Sequence, residues 1–156
     1  MLILKSNSMP LSPTKKFTLR NLESEGQPLA TLAWSGSPSV EVNGATLEGQ
    51  FQTESGNCFL VLTDDCPFEE TVRCYLLSKE NAVIDQLEFA VPYQSLIIQE
   101  IEIVGDQSLC LLCSGNTKLK IDISEIRGSV IKRLFSRIQH SKNGLITLTE
   151  TEKSQN

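Results

Sequence analysis

The sequence predicts an all-β fold: a mostly antiparallel meander of about nine to eleven short strands, forming a sandwich or flattened barrel, with one C-terminal amphipathic helix packed on it. Three observations carry that expectation. From Lys16 to Ile123 short apolar-rich segments recur, and nearly every break between them holds Gly, Asn, Asp, Ser or Pro, the residues that turn chains. Several segments alternate apolar and polar side chains with period two, which sets one strand face on a core and the other in water. After the last of them the period changes to that of a helix.

Residues 1–15, marked by Pro10 and Pro13, read as a flexible N-terminal segment. The apolar Met1–Leu4 start is too short for a signal peptide, and Met9 offers a second start. Residues 16–149 read as a single β domain, and 150–156 as a polar tail. The first strands fall at Lys16–Leu22, Leu29–Trp34 and Val40–Asn43. Asn43-Gly44 is a hairpin signal, because both residues tolerate the positive φ of a type I′ turn. Thr46–Thr53 alternates Leu47, Gly49 and Phe51 against Glu48, Gln50 and Gln52, with Gly49 hinting at a bulge or a close contact.

Further strands fall at Cys58–Thr63, Thr71–Ser78, Val83–Val91, Leu96–Val104, Ser108–Cys113 and Thr117–Ile123. In Leu96–Val104, Ile101 and Ile103 are expected to face in and Glu100 and Glu102 out. Segments 59–62, 74–77 and 109–113 are apolar on both faces, so each needs cover twice, by a second sheet or by the helix. That helix is expected over 129–140. Ser129 would cap it, and Val130, Ile131, Leu134, Phe135 and Ile138 would form an apolar stripe about 140° wide. Asn143-Gly144 serves as its stop signal, and Leu145–Thr149 as a final edge strand.

Composition narrows function by exclusion. A 40% apolar and 21% charged chain is that of a soluble globular protein, and no apolar run exceeds five residues, far short of a membrane span. Five cysteines, an odd number, without a secretory leader suggest free thiols in a reducing cytoplasm. The net charge of −5 speaks against nucleic acid as partner. Its distribution is uneven: residues 41–122 hold fourteen acids against four bases, whereas residues 124–142 hold Glu125 against Arg127, Lys132, Arg133, Arg137 and Lys142.

No motif announces catalysis. Cys110 and Cys113 have C-x-x-C spacing, but three residues apart on a strand they point to opposite faces and cannot share an ion. The sole histidine, His140, would have to meet Cys66 to form a nucleophilic dyad. The acidic run Asp64–Glu70 matches no calcium loop. No catalytic residue, metal site or cofactor is therefore expected. The leading expectation is a non-catalytic binding domain whose partner is another protein. Its candidate contacts are Asp64, Asp65, Phe68, Glu69 and Glu70 on the acidic loop and Lys132, Arg133 and Arg137 on the basic helix face. A β-barrel holding a small apolar ligand is the alternative, and a metal-dependent or cysteine-based enzyme the third.

Overall fold

A computed structural model describes residues 10–36, 38–66, 69–91, 96–125, 138–141 and 143–151. Among them lie thirteen strands, in chain order β1 Ser12–Pro13, β2 Thr18–Leu22, β3 Leu29–Ala33, β4 Val40–Asn43, β5 Thr46–Gln52, β6 Cys58–Thr63, β7 Thr71–Leu77, β8 Val83–Ala90, β9 Ile98–Gly105, β10 Ser108–Cys113, β11 Thr117–Ile123, β12 Ile138–His140 and β13 Ile146–Thr151. A single 3-10 turn at Ser114–Asn116 joins β10 to β11. The all-β class therefore holds.

Every strand pair is antiparallel, and the strands form three open sheets. Their orders are β1-β5-β6-β7-β8, β12-β13-β11-β10-β9 and β2-β3-β4. Among the described residues no sheet closes into the barrel that the small apolar ligand alternative calls for.

The first sheet is a middle layer. Phe59 and Val61 of β6, with Val72, Cys74 and Leu76 of β7, join one core with Leu109, Leu111, Leu119, Ile121, Ile146 and Leu148 of the second sheet. The intervening Cys58, Leu60, Leu62, Tyr75 and Leu77 join another core with Leu32 and Val42 of the three-stranded sheet. Period-two alternation sends neighbouring side chains to opposite faces, so β6 and β7 are apolar on both because both are covered. Among the described residues that cover comes from the two flanking sheets. β10 departs from the expectation of double burial: Leu109, Leu111 and Cys113 are buried, whereas Ser108, Cys110 and Leu112 on its outer face are only partly covered.

Among the described residues the helix expected over 129–140 is not found. Its C-terminal end, Ile138–His140, is strand β12, paired with Thr147–Thr149 of β13, and residues 126–137 lie outside the described residues. The physical reason lies in the turn. Asn143-Gly144 does not stop a helix but turns a hairpin, with Gly144 at φ +72 and its N–H bonded to the Ser141 carbonyl at 3.2 Å.

Two further expectations are corrected. Asn43-Gly44 does not fold β4 back onto β5. The chain changes sheets there, the Gly44 N–H bonding the Pro28 carbonyl (2.9 Å) and the Ala45 N–H the Thr63 carbonyl (2.8 Å). The bulge hinted at by Gly49 is present, with Glu48 skipped between the pairs Leu47↔Leu62 and Gly49↔Val61. That extra residue reverses the facing, so Leu47 packs on the smaller core and Phe51 on the larger. Leu11–Pro13, expected to be loose, is docked: Leu11 is buried and Ser12–Pro13 pairs with Gln52 and Phe51. No helix of the described residues is long and apolar enough to cross a membrane.

Candidate functional site

The acidic loop between β6 and β7 spends half of its charge on itself. Arg73, on β7, is buried and donates from Nε to Asp64 Oδ1 (2.7 Å) and from Nη2 to Asp64 Oδ2 (2.9 Å), a bidentate clamp. Its Nη1 also meets the exposed Glu88 across the strand pair. The hydrogen bond to Asp64 chiefly holds the guanidinium above its ordinary pKa. Glu70 is buried and accepts the backbone N–H groups of Asp64 (2.7 Å) and Cys66 (3.2 Å). Burial raises its carboxyl above the usual glutamate range, partly offset by those N–H groups. Of the four acids only Asp65 and Glu69 face solvent. Phe68, and the basic candidates Lys132, Arg133 and Arg137, lie outside the described residues.

Two other carboxylates serve the same internal purpose. Asp85, buried on β8, accepts the backbone N–H groups of Asn143 (3.0 Å), Leu145 (2.9 Å) and Ile146 (3.2 Å) and the Ser141 hydroxyl. It thereby ties the β12–β13 hairpin to the edge of the middle sheet. Glu125 accepts hydrogen bonds from the Thr53 and Ser55 hydroxyls and from Asn57 Nδ2 (3.0 Å), fastening the β5–β6 turn. Neither connection is visible in the sequence, because the partners are far apart along the chain.

Chemistry suited to catalysis is sparse. Cys110 and Cys113 do occupy opposite faces, and burial pushes the thiols of Cys58 and Cys113 up to about 11 and that of Cys74 to about 12, where thiolate is scarce at neutral pH. Among the described residues no three metal-ligating side chains come together. A groove of about 360 Å³ opens between Trp34, Val40 and the Lys79–Ala82 turn. Phe17 meets Trp34 edge-on at 5.1 Å, and Lys16 bonds Asn81 Oδ1 at 2.7 Å. The Trp34 indole N–H is buried without a hydrogen-bond partner among the described residues.

The most distinctive surface is the edge strand β9. It pairs with β10 on one side and, among the described residues, with nothing on the other. An antiparallel strand points half of its N–H and C=O groups to each side, so β9 offers an open hydrogen-bonding row. Five large apolar side chains are exposed among the described residues, and three lie on or beside this strand: Ile97 at 46%, Ile103 at 40% and Val104 at 49%. Period-two alternation places Ile103 inside. Its partner Leu109 confirms that it points to the inner face, but it projects past what the middle sheet covers. Ile101 is better shielded, because Gly49 lacks a Cβ that would stand 3.0 Å from Ile101 Cδ1.

Register sets the useful length of this edge. Gln99 is skipped between Ile98↔Cys113 and Glu100↔Leu112, and Val104 between Ile103↔Leu109 and Gly105↔Ser108. These bulges bound a regular stretch, Glu100–Ile103. Bulges and charges on an edge strand ordinarily deter indiscriminate pairing. Exposed isoleucine and valine have the opposite effect, and a strand built only for protection would lack them. Comparison with family models, with curated proteins and with solved structures finds no match to this chain.

Proposed function

We propose that this chain is a non-catalytic protein-interaction domain that takes an extended segment of a partner protein onto the outer edge of β9. One observation carries the reading: an open strand edge coincides with three of the five exposed large apolar side chains among the described residues. Strand addition draws affinity from main-chain hydrogen bonds and specificity from the flanking side chains, and β9 supplies both. The acids at Glu100 and Glu102 disfavour a phosphate backbone, which supports protein over nucleic acid as partner. Asp65 and Glu69 on the β6–β7 loop remain secondary candidate contacts, since Asp64 and Glu70 are already engaged. A reducing, cytoplasmic setting is part of the proposal and is supported by five free cysteines.

Selection of random extended peptides on the immobilised chain, followed by hydrogen exchange, tests this. Binders should protect the backbone amides of Glu100–Ile103, and Ile103→Asp should weaken them while the fold persists. Binders that protect only other strands, or that ignore Ile103→Asp, would overturn the reading.

A further inference from the structure

We infer that the segment received by β9 alternates basic with aliphatic residues, the basic ones two apart; this rests on the strand-addition reading above. Glu100 and Glu102 lie on the outer face, since their partners across β10 are Leu112 and Cys110, whose neighbours on the buried face are Leu111 and Leu109. Within the sheet, therefore, neither acid has a charged neighbour at its side. The nearest bases in register are Lys118, opposite Leu112, and Lys120, opposite Cys110. They stand two strands away; Lys120 pairs with Asp122 at 3.7 Å, and the ion pairs found among the described residues include neither Glu100 nor Glu102. Among the described residues, both carboxylates thus lack a balancing base on the side that faces an incoming strand.

A guest strand beside β9 would set its outer-face residues about 5 Å from Glu100 and Glu102, within reach of a cross-strand charge pair. Lysine or arginine at those two positions is favoured, and aspartate or glutamate is repelled. Between them the guest's inward residues would cover Ile101 and Ile103, which calls for isoleucine, valine or leucine. The bulges at Gln99 and Val104 confine the match to about four residues. A second copy of this chain is a poor guest, because two β9 strands paired antiparallel bring Glu100 and Glu102 of each against those of the other.

Three synthetic peptides test this on the full chain: eight residues alternating isoleucine or valine with lysine, with glutamate, or with serine. Affinity is measured by titration calorimetry at low salt, and location by exchange protection of Glu100–Ile103. The lysine peptide should bind about two- to thirty-fold more tightly than the serine peptide, as expected of two exposed cross-strand pairs. The glutamate peptide should bind weakest, and Glu100→Lys combined with Glu102→Lys should invert the order. If the three bind β9 equally, or serine wins, the charge inference is overturned while strand addition stands. If none protects β9, both fail. A dimer formed by the free chain through β9, detected by sedimentation and lost in the double variant, would also overturn the inference.

Discussion

The Tyr75 hydroxyl sits against the backbone of Asn43, accepting its N–H at 3.0 Å and donating to its carbonyl at 3.2 Å. One side chain of the middle sheet thus satisfies both main-chain groups of the residue at which the chain leaves β4. Two residues later the backbone is bonded to β6 instead. This contact locks the smaller sheet onto the larger, and burial raises the phenol's pKa.

Removing that hydroxyl isolates the effect. Tyr75→Phe keeps the ring in the core with Leu60 and Leu77 but strands a partly buried N–H and C=O. We expect a loss of about 1–2 kcal/mol. Urea unfolding should show a lower midpoint with an unchanged slope; an unaltered midpoint would mean that water replaces the hydroxyl.

Gly44 carries a stricter constraint. At φ +140 it is already unsuited to an L side chain, and a Cβ there would lie 2.8 Å from Leu62 Cδ2 and 3.0 Å from Leu62 Cβ. Gly44→Ala should cost about 2–3 kcal/mol, the sum of backbone and overpacking terms. Gly36→Ala, at φ +77 with nothing within 4 Å, should cost only about 1 kcal/mol. Equal thermal shifts for the two variants would contradict the steric argument.

Asp85 is the acceptor on which the β12–β13 hairpin depends. Asp85→Asn turns an NH₂ group toward donors that now meet a carboxylate oxygen, and the expected loss is about 3 kcal/mol. Native-state exchange should accelerate first at the amides of Asn143, Leu145 and Ile146. Uniform acceleration across all sheets would show instead that the hairpin opens only with the whole fold.

Glu70 gives stability a pH dependence of definite sign. Its carboxyl is raised in the fold, chiefly by burial, so the folded state binds that proton more tightly than the unfolded chain. Its contribution is fully present below the ordinary glutamate range, about pH 4, and declines as pH rises through the raised folded value. The stability of Glu70→Gln, which does not titrate, should lack that decline. Parallel pH–stability curves for the two proteins between about pH 4 and 7 would refute the assignment.

Much of this architecture is legible in the residues alone. Period-two alternation locates β5, β9 and β11, and the runs at 59–62 and 74–77 mark strands covered on both faces, because only a buried strand tolerates apolar residues at successive positions. The source of the cover is not legible in the same way. An apolar stripe around residues 130–138 suggests a helix, yet Ile138–His140 is a strand, because a hairpin turn at Asn143-Gly144 and the Asp85 carboxylate hold it against β13 and β8. Asn43-Gly44 shows the same ambiguity from the other side: its residues permit a positive φ, but φ alone does not say which strand the chain meets next.

By itself, then, the sequence determined the all-β class, the approximate strands and the need to bury β6 and β7 twice, because those properties follow from local alternation and turn chemistry. Tertiary structure decided the order of the layers, the withdrawal of Asp64, Glu70, Asp85 and Glu125 into internal hydrogen bonds, and the exposure of Ile103 on an open edge. Each of those depends on a partner remote in the chain or on how far a facing sheet extends. Such long-range relations leave no periodic trace along the residues themselves.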